Sequence, residues 1–366
     1  MGVHFFYRGI VICVQVAILG AGPAGLEAAM ELLRGGISPT VFEKKERVGS
    51  PVRCGEALLD LHSLFDGDPP GSMRRISELL VHIETVHHFP ADNTGLWIMD
   101  KREWLESLVA EARSLGASIE MGRPVLLSDI RKEYDYVIDC SGCPSQSLKE
   151  YGVDYGPLGL AIQYRVSCDL DEKAGKLGFH YIPGEVGFRW IFPKSRKEAN
   201  IGVGWAYDQP REKWDTLNQF ALDQLGDFEV QRRISGYLAM QVPSRLSIEN
   251  ILLCGDAAGL ANPYHGGGIH NAMLSGRIAS RCLVEGSPGT YDPRLRKAVS
   301  GELKVANFAR SILEGSYKHH EMMVSYLEKN VPLEKLFTHE TYRRLLPYIG
   351  IWNIRSLIRK TPLPSI

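Results

Sequence analysis

Residues 16–43, VAILGAGPAGLEAAMELLRGGISPTVFE, admit few folds. Val16 and Ile18 open a strand, and the chain turns through Gly20-Ala21-Gly22-Pro23-Ala24-Gly25. Leu26, Ala29, Leu32 and Leu33 then follow at helical spacing until Gly35-Gly36, and a second short strand ends in Glu43. Each glycine of such a turn has a use. Gly20 lets the strand turn sharply, Gly22 lets a pyrophosphate approach bare backbone, and Gly25 lets helix and strand pack closely. The helix start aims unpaired N–H groups and a positive dipole end at phosphate. Glu43, at the strand tip, is placed to accept hydrogen bonds from a ribose diol. The flanking strand, helix, second strand and terminal acid agree, so the stretch reads as a dinucleotide site rather than an ordinary glycine-rich turn.

With 366 residues the chain can build two domains or one large one. A net charge of −1 gives it no general attraction to nucleic acid. Its seven cysteines, scattered and odd in number, suit reduced thiols and a cytoplasmic location rather than a disulfide framework. The apolar N-terminus, interrupted by Arg8 and Gln15, reads as a short leader running into the first strand, not as a signal peptide or a membrane span.

Further along, 44–58 is loop-like, 72–89 and 94–99 look extended, and Trp104, Leu105, Leu108, Val109 and Ala112 mark an amphipathic helix from Arg102 to Leu115. Strands are expected at 118–121, near 124–127 and at 134–140. Residues 157–247, rich in aromatic and β-branched side chains, predict antiparallel strands. A buried strand at 251–255 leads to Asp256, the loop NPYHGGG at 262–268 and a helix over 269–284, and 288–366 reads as helical. The expected fold is α/β. A discontinuous Rossmann-like domain (11–70 with 96–156 and 246–287) joins an antiparallel-sheet substrate domain (71–95 with 157–245) and a helical C-terminal region (288–366).

Three separated motifs now stand together: the 20–43 fingerprint, the strand ending Ile138-Asp139-Cys140-Ser141-Gly142, and Gly255-Asp256-Ala257-Ala258-Gly259. The combination resembles the flavoprotein superfamily of aromatic hydroxylases, flavin halogenases and geranylgeranyl reductases. Within it, PVRCGEAL at 51–58, FRWIFPK at 188–194 and NPYHGGGIHNAMLSGR at 262–277 resemble the archaeal geranylgeranyl reductases. That resemblance implies FAD as cofactor. Ala24, Glu43, Arg53, Cys54, Gly55, Arg102, Val125, Gly142, Asp256, Gly268 and Ile269 would then stand at FAD beside Gly20, Gly22 and Gly25, with Arg102 as a cation for the pyrophosphate. Asp256 can accept from a ribitol hydroxyl, and Gly267, Gly268 and Ile269 form a helix N-terminus that favours an anionic reduced flavin. The alternative for Asp256 is an N-cap of its own helix. Phe188, Trp190, Phe192 and Pro193 are similar to the family's aromatic-x-Trp-x-Phe-Pro signature and would face substrate. The loop departs from the family at Tyr264 and His265, where a smaller, less polar pair is commoner.

A hydroxylase of this fold would carry Asp-Gly followed by Ser and Arg after the 136–140 strand, and a halogenase Trp-x-Trp-x-Ile-Pro; this chain has neither. The reading is therefore an FAD-dependent oxidoreductase that hydrogenates isoprenoid (geranylgeranyl) double bonds of membrane-lipid precursors in an archaeal-type pathway. Its rivals are an FAD-dependent monooxygenase or halogenase-like enzyme on a small hydrophobic substrate, and a non-catalytic electron-relay or prenyl-binding flavoprotein. Hydrogenation needs a hydride, which reduced flavin N5 can supply, and a proton. Cys54 is the first candidate donor, with His265 and Tyr264 as alternatives. Trp190 and Phe192 would stabilise cationic character at carbon, or form the core face of a strand. With one dinucleotide fingerprint present, the reductant is NAD(P)H docking transiently or a small electron carrier. Cys140 and Cys143 read as packing residues rather than a redox pair, and no cluster has metal-ligand spacing. The basic, apolar tail at 343–360 suits peripheral contact with a membrane and equally a helix packed on the core.

Overall fold

The computed structural model describes residues 4–7, 10–59, 65, 67–92, 94–154, 156–206 and 211–349. Its first sheet has six strands in the order Ser118–Glu120, Thr40–Phe42, Val16–Leu19, Tyr136–Asp139, Ile251–Leu253 and Ser247–Ile248. All neighbours run parallel except the last pair. Every residue of Val16–Leu19 is buried, as the unbroken run of apolar residues in a two-sided parallel strand requires. Helix Pro23–Arg34 follows it and packs on helix Ile269–Val284, from the far end of the sequence. Small residues permit this approach: Ser280 Oγ donates to the Ala28 carbonyl at 2.9 Å, and a Cβ on Gly276 would collide with the Ala24 carbonyl. The fingerprint and the Gly-Asp motif, more than 200 residues apart, thereby share one sheet end.

A second sheet of seven strands runs in the order Glu229–Leu238, Gly159–Ser167, Glu198–Trp205, Gly187–Pro193, Lys176–His180, Glu78–His82 and Val86–Pro90. It is antiparallel except between Lys176–His180 and Glu78–His82, where a strand from a separate stretch of chain joins in parallel. A small third sheet, Ala57–Leu59, Leu96–Met99 and Ser72–Arg75, lies between these stretches in sequence. Helices Tyr291–Gly315, Tyr317–Asn330 and His339–Leu345 follow, and Phe308, Ile312, Met323, Val324 and Leu327 share one core with Val81, Leu177, Trp190 and Phe192 of the larger sheet.

Two expectations need correction. Residues 124–127 form no strand; a single helical turn, Leu127–Ile130, stands there. Pro124 has no N–H for a ladder, and the two residues that become buried, Leu127 and Ile130, are three apart rather than two. Within 157–247 the sequence also holds a helix, Lys213–Leu225, whose Leu217, Phe220 and Ala221 cover the sheet at the spacing of one helix face. At the N-terminus, His4–Tyr7 pairs antiparallel with Ile10–Cys13. The tail at 343–360 is described only to residue 349, so the reading of its remainder falls outside the described residues. No described helix is long and apolar enough to cross a membrane.

Candidate active site

One cavity of about 690 Å³ runs from the Gly20–Ala24 turn, past the Cys54 loop and the larger sheet, to the C-terminal helices. At its first end Gly20 has φ +97° and lies against the Cys140 carbonyl, where a side chain has no room. Gly25 packs so closely under Gly20 that a Cβ would collide with the Gly20 carbonyl, whereas the Cβ position of Gly22 meets no atom within 4 Å and faces the cavity. Glu43 is buried, and its two oxygens accept from Ala21 N–H at 2.9 Å and Lys45 N–H at 3.0 Å, which fixes the carboxylate in the wall with lone pairs still available.

Across the cavity, Asp256 caps no helix: the turn Gly255–Ala258 starts at Cys254 without a side-chain cap, and no described residue donates to the Asp256 carboxylate. Burial raises its pKa above the usual value, with Lys101 on the cavity wall opposing the shift. An unpartnered acid, a bare glycine cradle, the fixed Glu43 and the start of helix Ile269–Val284 line one cavity, and their chemistry fits a ribitol hydroxyl, a pyrophosphate and a ribose.

The loop before that helix is tied down from within. Asn262 Oδ1 accepts from Tyr264 N–H at 2.9 Å and His265 N–H at 3.2 Å, while its Nδ2 donates to Glu302 Oε1 at 2.7 Å. Glu302 also pairs with His270 Nε2 at 2.7 Å, so loop, helix start and C-terminal helix meet at one buried carboxylate. Burial opposes the charge on Glu302, yet His270, Asn262 and His265 outweigh it and bring the pKa to about 2. Burial lowers His265 to about 4, and its Nδ1 accepts from Gly267 N–H at 3.1 Å, so the ring is neutral at pH 7. Of the three N–H groups expected at the helix start, Gly267 is therefore engaged locally. Tyr264, raised by burial, hydrogen-bonds His320 Nε2 at 2.7 Å and stacks on Tyr181 at 5.3 Å.

The second end of the cavity is apolar. Phe188, Trp190, Phe192, Phe179 and Tyr181 form a run of ring contacts 5.3–6.2 Å apart. Ala309, Leu313, Met323, Val324 and Leu327 complete the wall from the C-terminal helices.

Most residues singled out in the sequence line this one cavity: Gly20, Gly22, Ala24, Glu43, Arg53, Cys54, Gly55, Val125, Gly142, Asp256, Tyr264, His265, Gly267, Gly268, Ile269, Phe188, Trp190 and Phe192. Three do not. Gly25 is structural, and Pro193 ends its strand opposite Ala199. Arg102, expected at the pyrophosphate, is not among the lining residues, where its neighbour Lys101 stands, and its Nε is buried without a hydrogen bond. The Asp100 carboxylate caps this helix, accepting from Arg102 and Glu103 N–H, with Lys101 the first helical residue. Sequence reasoning also missed Gln163, Tyr181 and the wall from the C-terminal helices. For Gln163 a signal existed, an uncharged polar residue within the apolar strand LAIQYRV. Cys140 is half-buried against the core of the parallel sheet, and desolvation pushes its thiol well above the usual value. No group of three or more potential metal ligands occurs among the described residues.

The parallel sheet with its glycine cradle is an FAD-binding fold. Residues 13–55 match the model of an FAD-binding domain family. The chain is 26% identical to digeranylgeranylglycerophospholipid reductase of Methanosphaerula palustris, over 91% of this chain and 94% of that one. It is 28% identical to the protein of that name from Methanosarcina acetivorans, over 74% and 75%. A geranylgeranyl bacteriochlorophyll reductase-like structure from Thermoplasma acidophilum superposes with TM-score 0.79 at 21% identity, covering 95% and 98%. A flavin-dependent brominase reaches 0.69 at 16%, covering 92% and 98%, which shows the shared fold alone. In sequence the chain is thus similar to proteins named digeranylgeranylglycerophospholipid reductase, and in fold to a geranylgeranyl reductase-like structure.

Proposed function

We propose that the protein hydrogenates carbon–carbon double bonds of geranylgeranyl chains in membrane-lipid precursors. The observation that carries this is the continuity of the cavity: a dinucleotide cradle opens directly into an apolar, aromatic-walled space extended by aliphatic residues of the C-terminal helices. A long hydrocarbon fits such a wall, and it offers few polar groups for a hydrophilic substrate. The names of the methanogen relatives point to the same substrate class.

When bound and reduced, FAD supplies a hydride. The chain's own residues do the rest. Gly22, Glu43, Asp256 and the start of helix Ile269–Val284 bind the cofactor, and Lys101 takes the cationic role first given to Arg102. Trp190 and Phe192 present ring faces to the more substituted carbon, where positive charge develops; such contacts contribute about 2 kcal/mol when desolvated. The proton comes from Cys54. His265, neutral with a depressed pKa, and Tyr264, held to His320 with a raised one, are poorer donors at neutral pH. Cys54→Ser should keep its FAD and lose most alkene reduction, and wild-type turnover in that variant removes Cys54 from the role. The reductant is NAD(P)H or a small electron carrier; the scattered, odd-numbered cysteines support a cytoplasmic enzyme, and a lipid substrate calls for peripheral access to a membrane.

The decisive experiment is anaerobic: reduce the flavin with dithionite, add geranylgeranyl lipid, and follow flavin reoxidation together with lipid mass. Reoxidation with a gain of two hydrogens per double bond is the expected result. A flavin that stays reduced until oxygen enters overturns the reading in favour of a monooxygenase or an electron relay.

A further inference from the structure

Cys54, Gly55 and Glu56 come from the loop that follows the nucleotide fingerprint, yet side chains of the larger sheet hold each of them. Gln163 Nε2 donates to the Cys54 carbonyl at 3.2 Å. Asn200 Nδ2 donates to the Gly55 carbonyl at 3.0 Å and to Glu56 Oε2 at 2.9 Å. Lys194 Nζ, fully buried, reaches the same Glu56 oxygen at 2.6 Å. Of the three tethers, Gln163 alone continues into the aromatic wall, since its Oε1 accepts from Trp190 Nε1 at 3.1 Å.

Both ends of that amide matter. A buried indole N–H needs a partner, and the ring has little other freedom, because a Cβ on Gly202 would run into it and a Cβ on Gly55 would press on Phe192. Gln163 is 3% exposed, and a primary amide is the side chain that accepts at one end and donates at the other without charge. We infer that Gln163 is a positioning residue, coupling the orientation of Trp190 to the placement of Cys54 so that the aromatic wall and the thiol are set as one unit. Turnover as a readout rests on the function proposed above; the reactivity of Cys54 does not.

Two replacements test this in the FAD-loaded protein. Gln163→Leu keeps the volume and removes both hydrogen bonds. It should change the rate at which N-ethylmaleimide alkylates Cys54, read by peptide mass mapping, severalfold, alter tryptophan fluorescence, and lower kcat on the order of 10- to 100-fold with little change in KM. Gln163→Glu is the sharper probe. Protonated, the new carboxylic acid still accepts from Trp190 and donates to the Cys54 carbonyl; ionised, it repels that carbonyl. Burial raises a carboxylic pKa, so Cys54 reactivity and turnover in this variant should approach wild type at low pH and depart from it as pH rises. Wild-type Cys54 alkylation in Gln163→Leu, or a Gln163→Glu pH profile parallel to wild type, overturns the inference. Altered alkylation in a protein that reduces no lipid, wild type included, would uphold the coupling and sink the proposed function instead.

Discussion

At the scale of single residues, the site is built from groups whose local needs are left unmet. Asp256 is the clearest case: it caps nothing, accepts no hydrogen bond from a described residue, and sits where burial raises its pKa. An acid with a folded-state pKa above its unfolded value costs stability once pH exceeds the unfolded value, and the cost disappears below it. Asp256→Asn should therefore raise the melting temperature of the FAD-free protein at pH 7 and leave it unchanged well below pH 4. The same variant should bind FAD more weakly, by a factor on the order of 10 to 100, as expected for a lost charge-assisted hydrogen bond of about 1.5–3 kcal/mol. Thermal melts at the two pH values and a flavin titration check both halves. Part of this was legible in the sequence, because Gly20, Gly22 and Glu43 lie in a motif whose spacing states its own geometry, while Asp256 was singled out through the resemblance. Lys101 was not: it is the neighbour of Arg102 at the start of the same helix, and Lys101 is the one of the two that lines the cavity.

At the scale of elements, buried polar pairs join pieces that sequence leaves apart. Glu302 on helix Tyr291–Gly315 holds His270 at the start of helix Ile269–Val284 and Asn262 in the preceding loop. Its pKa of about 2 lies below the usual carboxylate value, so the pair's contribution is complete above that value and is lost as pH falls toward 2. Glu302→Ala should cost about 1.5–3 kcal/mol at pH 7, the range for a lost hydrogen bond to a charged group, with the deficit shrinking under acid; urea unfolding at several pH values measures it. A second test concerns the aromatic wall. Trp190 lies against bare backbone at Gly202, so Gly202→Ala should force the indole out of place, cost about 1–3 kcal/mol, and shift tryptophan fluorescence. Alternating aromatics in FRWIFP foretold a strand face but not that a glycine on the neighbouring strand lets Trp190 lie flat, because cross-strand register follows from the fold.

At the scale of the whole molecule, the cavity belongs to no single segment. Its cradle comes from the parallel sheet, its aromatic wall from the larger sheet and its aliphatic end from the C-terminal helices. Ala309, buried on the last of these walls, is a point where added volume should shorten the space available to a prenyl chain. Ala309→Leu should lower kcat/KM for a geranylgeranyl lipid roughly tenfold more than for a shorter prenyl analogue, since each excluded methylene is worth about 1–3 kcal/mol. Equal losses on both substrates would place the end of the chain elsewhere.

By itself the sequence determined the nucleotide fold, its glycine turn and the strand that ends in Glu43, because these depend on short-range spacing that any parallel βαβ unit must satisfy, whereas Asp256 was singled out through the resemblance. It also determined that residues 269–284 form a helix, and the structure has that helix at Ile269–Val284. Only the tertiary structure decided which side chains share the cavity. Gln163 reaching Cys54, Tyr264 reaching His320 and Glu302 reaching His270 are contacts between residues 32 to 109 positions apart. No local preference encodes such pairs; they arise when burial forces each polar group to find a partner in whatever element packs against it.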